Sequence, residues 1–166
     1  MKITSIFEKE EITVSFEVFP TKTCTNYEAV EKAALGVAAL KPSYMSVTYG
    51  AGGSTRGYTI KIAEKIQKEQ QVTTIAHLTC VGATKADIHA ALGQMKEAGI
   101  ENLLALRGDR PKDFEGDPYV DYHHASELVE TIREYGDFCV GGACYPEGHP
   151  DRKQPIRMRQ RRRKTF

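Results

Sequence analysis

No stretch of this chain approaches the roughly 18 consecutive apolar residues that a membrane-spanning helix needs. The N-terminus, Met1-Lys2-Ile3-Thr4-Ser5, lacks the apolar core of a secretion signal. Both absences point to a cytoplasmic protein. No two of the cysteines, at 24, 80, 139 and 144, have C-x-x-C spacing, which removes the common zinc and redox motifs. Three of them sit in or beside apolar runs and read as buried, reduced thiols. The chain has neither the G-x-x-x-x-G-K-[ST] of a P-loop nor the G-x-G-x-x-G of a dinucleotide fingerprint. At 166 residues it is one domain by size, shorter than the roughly 250 residues of a complete eightfold βα barrel.

What is present is a period. Apolar, β-rich runs recur at Ile12 to Phe19, Tyr44 to Tyr49, Thr73 to Cys80, Leu103 to Leu106 and Phe138 to Tyr145. Their centres lie about 30 residues apart, the size of a strand-helix-strand unit. Amphipathic segments fill the gaps. Asn26 to Leu40 reads as a helix with Asn26 as cap and Val30, Ala34, Val37 and Leu40 on one face. Thr59 to Gln70 is the second, and Thr84 to Ala98 the third. The third opens on a capping-box pattern of Thr84 and Asp87 and is stopped by Gly99. His124 to Tyr135 is the fourth. Strict alternation of this kind implies a parallel sheet with covering helices. It fits either a doubly wound open sheet or the first five strands of a (βα)8 barrel.

Chemistry-bearing residues collect where the strands end. Leu103-Leu104-Ala105-Leu106 reads as a strand buried on both faces, and it runs straight into Arg107-Gly108-Asp109. Sites in α/β proteins gather at strand C-termini, which places Arg107 and Asp109 at a ligand mouth. The alternative is a solvated turn. Glu17 alternates with apolar neighbours in Ser15-Phe16-Glu17-Val18-Phe19-Pro20 and so points to one face of the sheet. Inside a barrel, a desolvated carboxyl there is suited to proton transfer; at an open edge it is merely exposed. His77, within an apolar strand, is a core histidine or a ligand contact. Gly50-Ala51-Gly52-Gly53 is a cradle or a plain loop. Tyr145 offers a ring and a hydroxyl. Glu147 and His149 are too few for a metal site. The set has no metal or nucleophile signature and suits a large planar cofactor better than hydrolysis.

The charge is split. The overall +1 divides into +7 for residues 151–166, where eight Lys or Arg face one Asp, and −6 for residues 1–150. The basic segment has no βα period.

Six segments in order resemble the methylenetetrahydrofolate reductase family. They are Ser15-Phe16-Glu17-Val18-Phe19-Pro20, Val47-Thr48-Tyr49-Gly50-Ala51, Ala76-His77-Leu78-Thr79-Cys80, Leu103 to Asp109, Ala125-Ser126-Glu127-Leu128-Val129 and Tyr145-Pro146-Glu147-Gly148-His149-Pro150. The resemblance implies an α/β fold of parallel βα repeats, an incomplete (βα)8 TIM barrel with about five of eight strands. It further implies FAD at the C-terminal mouth, reduced by NADH or NADPH, and hydride transfer to 5,10-methylenetetrahydrofolate. The product, 5-methyltetrahydrofolate, serves methionine synthesis. By that pattern Glu17 is the acid that helps open the methylene bridge, and Asp109 contacts both pterin and flavin. Thr48, Tyr49, Ala51, His77, Arg107, Gly108, Ala125, Tyr145 and His149 are flavin contacts, with Thr48 also near the nicotinamide. Full-length members are expected to be homo-oligomers. His124 departs from the family, which often has Tyr before Ala125-Ser126.

The resemblance stops at Pro150. Residues 1–150 then read as a partial flavin and folate barrel, and residues 151–166 as a non-homologous, disordered basic tail, as if a reductase were cut short. A chain of that kind is expected to lack reductase activity and to bind FAD weakly or not at all, since Phe16, Val18, Val47, Ile75 or their alternating neighbours would meet solvent on the missing side. One alternative is a half-barrel binding module with a nucleic-acid-binding tail. The absence of aromatics among the tail's arginines counts against it, so nucleic acid is not an expected partner. Another is a flavin-free barrel acting on folates or aldehydes.

Overall fold

In the structure, a computed structural model, residues 1–20, 27–49, 56–110 and 115–145 are described. Ten elements follow one another: α1 (Ile3–Lys9), β1 (Ser15–Val18), α2 (Tyr27–Ala38), β2 (Tyr44–Val47), α3 (Arg56–Gln70), β3 (Thr73–Thr79), α4 (Lys85–Glu97), β4 (Asn102–Leu106), α5 (Ala125–Tyr135) and β5 (Cys139–Gly142). All five strands are parallel and lie in sequence order, β1-β2-β3-β4-β5. Consecutive order with right-handed crossovers puts the four connecting helices, α2 to α5, on the same face of the sheet. That is the arrangement of a partial (βα)8 barrel.

Burial follows the strand period of two. Met45, Val47, Ala76, Leu78, Leu103 and Ala105 are all at or below 1% exposure and point to the helices. They meet Ala34, Ile62, Ala63, Ile66, Ile88, Leu92, Leu128 and Ile132 from those helices, and this is the core. The register aligns Glu17 with Ser46, Ser46 with Ile75, and His77 with Leu104. These residues therefore share the opposite face, the one that lines a barrel's interior. The Leu103–Leu106 strand is thus fully buried on one face only: Leu104 and Leu106 are half-buried on the other. The same parity corrects the expected set of interior residues. Of Phe16, Val18, Val47 and Ile75, only Ile75 faces inward.

Local signals explain most boundaries. The Thr84 hydroxyl accepts from the Asp87 backbone N–H at 3.2 Å, and the Asp87 carboxylate accepts from the Thr84 N–H at 3.0 Å, so the capping box forms. Gly99, at φ 71°, ends α4. Strands β1 and β5 are shorter than their apolar runs, and α3 starts three residues earlier than Thr59. Leu40 lies beyond the end of α2 and is 72% exposed, not on its apolar face. The expected cap Asn26 and the segment 146–166 lie outside the described residues. Cys80 is buried, Cys139 half-buried and Cys144 exposed, so the reading of buried thiols fails at Cys144; all three are free. Cys24 is also outside the described residues. Among the described residues no helix is long and apolar enough to cross a membrane.

The sequence period gives no hint of α1. Its place is across the N-terminal ends of the strands. Ile3 and Ile6 are buried, and Phe7 meets the Tyr44 ring edge-on at 5.9 Å. Asn102, 1% exposed at the start of β4, is the anchor. Its Oδ1 accepts from the Ile3 N–H at 2.8 Å, and its Nδ2 donates to the carbonyls of Met1 at 3.0 Å and Thr74 at 3.1 Å. Asn102→Leu removes those partners at once and leaves buried backbone groups unpaired, each costing about 1–3 kcal/mol. Urea unfolding should show a loss of at least about 2 kcal/mol, and a near-neutral result would show that α1 is not held there.

Candidate active site

The C-terminal end of β4 runs into a turn pinned to the end of β3. The Cys80 N–H bonds to the Leu106 carbonyl at 3.2 Å, and the Val81 N–H to the Arg107 carbonyl at 2.8 Å. Gly108 sits at φ 85°, and a Cβ built there would lie 2.4 Å from Val81 Cγ1. Both the backbone conformation and the close approach require glycine. The turn throws Arg107 and Asp109 outward. Arg107 stacks over the Tyr119 ring at 4.7 Å, and the Tyr119 hydroxyl donates to the Gly108 carbonyl at 3.3 Å.

Above this turn opens a cavity of about 690 Å³. It brings together Tyr49, Arg107, Gly108, Asp109, Ala125 and Tyr145 from the ends of β2, β4 and β5 and the start of α5. His124, at the N-cap of α5, lines it too. The first turn of α5, with Ala125 and Ser126 at the cavity, presents the positive end of its dipole. Glu127 steadies that turn by accepting from the His123 and His124 N–H groups at 2.6 and 3.0 Å. These bonds, that from His124 first, hold its carboxyl below the usual range. Cys80, beneath the turn, is inert: burial pushes its thiol up to about 11.

Glu17 and His77 are not in this cavity. They line a second, shallower groove of about 480 Å³ with Ser46, Ile75 and Leu104. The two are continuous along the strands. His77 and Leu104 line the groove, and Thr79 and Leu106, two residues on, line the cavity. That spacing is about 7 Å. The Ser46 hydroxyl donates to Glu17 Oε2 at 2.8 Å, and His77 Nε2 stands 3.3 Å from the same oxygen. The His77 approach is close enough for charge attraction but misaligned for a hydrogen bond, so Nε2 is buried without one. Burial lowers the His77 pKa from 6.5, and the Glu17 charge partly offsets this. Glu17, in edge strand β1, keeps 42% of its side chain exposed, so it is both inward-facing and at an edge. Thr48 lies elsewhere. Its N–H bonds to the Val18 carbonyl at 2.9 Å and its carbonyl accepts from the Thr59 hydroxyl at 2.8 Å, which joins β1, β2 and α3. Ala51 and His149 lie outside the described residues.

Comparison with known proteins decides the family. The family model for methylenetetrahydrofolate reductase matches residues 2–163. The chain belongs to the methylenetetrahydrofolate reductase family. The matched range runs past Pro150. Methylenetetrahydrofolate reductase 2 of Schizosaccharomyces pombe is 40% identical over 164 residues, covering 93% of this chain and 25% of that protein. The 5,10-methylenetetrahydrofolate reductase of Pectobacterium carotovorum is 37% identical, covering 86% of this chain and 46% of the relative. Methylenetetrahydrofolate reductase (NADH) 1 of Arabidopsis thaliana is 39% identical, covering 90% and 26%. The chain thus spans between a quarter and a half of these relatives. A solved 4-hydroxy-tetrahydrodipicolinate synthase from Methylacidiphilum fumariolicum, a TIM-barrel enzyme, superposes with a TM-score of 0.52 at 10% identity, over 80% of this chain and 44% of its own; the likeness is one of fold.

The residues at the mouth fit a flavin. The cavity is within the roughly 300–1,000 Å³ range of cofactor sites. It has two tyrosine rings, a cation and a helix N-terminus suited to phosphate. Thr79 Oγ1 is buried there without a hydrogen-bond partner, an orphan that a polar ligand edge would satisfy. Among the described residues no group of three metal-ligating side chains occurs.

Sequence reasoning missed Ser46 and Thr79. Ser46 has the same parity as Glu17 once β1 and β2 are aligned, and that alignment is the signal that would have found it.

Two outcomes follow. Gly108→Ala should lose about 1–3 kcal/mol from backbone strain alone, read by thermal unfolding; an unchanged midpoint would mean the turn relaxes freely. His77, with its folded pKa below 6.5, binds a proton less readily folded than unfolded. Its contribution is fully favourable above pH 6.5 and is lost as pH falls through and below that value. Urea unfolding of His77→Gln should therefore show a flatter pH dependence below about pH 6.5 than the parent chain.

Proposed function

We propose that this chain carries the flavin and folate site of an enzyme that reduces 5,10-methylenetetrahydrofolate to 5-methyltetrahydrofolate with NADH or NADPH, feeding methionine synthesis in the cytoplasm. The observation that carries the reading is the continuous inner face, with a cofactor-sized cavity at the strand ends and a carboxyl groove directly below it. Thr48, Tyr49, Ala51, His77, Arg107, Gly108, Asp109, Ala125, Tyr145 and His149 hold FAD in this proposal. Bound at those residues, FAD would supply hydride chemistry between a nicotinamide donor and the folate. The chain's own residues supply binding, orientation and one proton. Arg107, fixed by Tyr119 stacking, offers a cation at the mouth. The α5 N-terminus receives phosphate. Asp109, exposed at the tip of the Gly108 turn, would offer a negative charge to a flavin edge and a pterin at the mouth. Glu17 gives a proton to a nitrogen of the methylene bridge, which opens it to the reactive iminium of the folate. The longer enzyme is an oligomer in this proposal.

The test joins residues 1–145 to the following strands of the Pectobacterium relative. The chain alone should bind FAD weakly or not at all, and the completed barrel should hold it stoichiometrically after gel filtration. A colourless completed barrel would favour flavin-free chemistry. In the completed barrel Glu17→Gln should leave NADH oxidation by the flavin nearly intact and lower folate turnover by about 10²–10⁴-fold, the worth of a positioned acid. Equal loss in both half-reactions would remove Glu17 from its proton-donating role.

A further inference from the structure

Glu17 does not stand alone in its groove, and the asymmetry of its contacts is informative. Both Ser46 Oγ, at 2.8 Å, and His77 Nε2, at 3.3 Å, approach the same oxygen, Oε2. Among the described residues Oε1 is the oxygen free to meet a ligand. The three side chains come from adjacent strands. Glu17 pairs in register with Ser46, and Ser46 with Ile75, two residues before His77. The parallel ladder therefore sets their spacing, and no loop movement is needed to bring them together. His77 is the stiffest member: its side chain is 9% exposed, held in the middle of β3, with Nε2 aimed into the groove and no hydrogen bond of its own.

We propose that Ser46 and His77 are positioning residues that hold Oε2 of Glu17 on the protein side, so that Oε1 alone is presented as the proton-carrying oxygen. This rests on Glu17 being the acid of the proposed reaction. A carboxyl group on a flexible two-carbon stem at an open edge strand has many rotamers, and a donor on one oxygen selects among them. The Ser46 hydroxyl supplies that donor. The Nε2–H tautomer of His77 supplies a second, which a small rotation of the carboxyl brings into line. Proton transfer through Oε1 then leaves both partners where they are. The ionisable groups that line the groove are Glu17, His77 and Tyr44. Glu17 is the charge that acts on His77, raising its pKa against the larger effect of burial.

The coupling is measurable without flavin or folate. The imidazole nitrogen signals of the 166-residue chain are followed against pH by NMR, and His77 is assigned among the five histidines by His77→Gln. Glu17→Gln should lower the His77 midpoint by about half a pH unit or more. Ser46→Ala should lower it by less, because the carboxylate swings away from the ring once Oε2 loses its donor. Ser46→Thr, which keeps a hydroxyl, should restore the parent value. Asp109→Asn, at the other cavity, should leave it unmoved. A His77 midpoint that ignores Glu17→Gln, or rises in Ser46→Ala, overturns the proposal, as does a shift in Asp109→Asn equal to that in Glu17→Gln. Circular dichroism on each variant separates a lost contact from a lost fold, and Glu17→Asp, with its shorter reach, should give an intermediate shift should Glu17→Gln fail to fold. Failure of the coupling removes the positioning roles and leaves the flavin reading standing; absence of FAD binding by the completed barrel, with the coupling intact, does the reverse.

Discussion

The pleat of the sheet is set by one requirement: one face of each central strand, β2 to β4, must be buried against the helices. Met45 and Val47 in β2, Ala76 and Leu78 in β3, and Leu103 and Ala105 in β4 meet it together. Because a strand alternates faces at every residue, this choice leaves no freedom for the residues between. A register slip of one position would drive Ser46, Ile75, His77 and Leu104 into the helices and expose the core. The polar face is thus fixed by the apolar one. Glu17, Ser46 and His77 meet because Met45, Ala76 and Leu78 cannot be anywhere else.

The same requirement separates two kinds of chemistry along one face. Low on the strands, side chains spaced by the ladder make a narrow groove with a carboxyl and an imidazole. At the strand ends, where the ladder stops, turns and a helix start widen the space into a cavity with rings and the charges of Arg107 and Asp109. On such a scaffold the groove residues stand on strands, and the cavity is built from turns and a helix start.

Much of this was legible in the residues. The spacing of the apolar runs gave all five strands and four of the five helices, because strand-helix-strand units have a characteristic length. Thr84 with Asp87 and the stop at Gly99 marked both ends of α4, because caps are local chemistry. Helix α1 left no trace in the period, since its role is a long-range contact with Asn102, and a buried asparagine carries no pattern of its own. The full burial expected for Leu104 and Leu106 failed because a continuous apolar run does not say how much of the second face is covered. The separation of Glu17 and His77 from Arg107, Asp109 and Tyr145 was hidden for a related reason. All five belong to strands or strand ends, and only the register tells how far along each strand a residue stands. Ser46 was missed because a serine in a strand is unremarkable until its neighbour across the ladder is known.

Helix α1 precedes β4 in the chain, so it is made well before its docking site exists. The bond from the Ile3 N–H to Asn102 joins residues 99 apart in sequence. Until residue 102 has been made, Ile3 and Ile6 lack the surface they cover, and the helix, at seven residues, is too short to persist in water by itself. Helix α1 must therefore wait, undocked, until β3 and β4 have paired and placed Asn102 beside Thr74. Docking of α1 then reports that the centre of the sheet is complete, and a nascent chain stalled before residue 102 would leave α1 undocked and open to proteases.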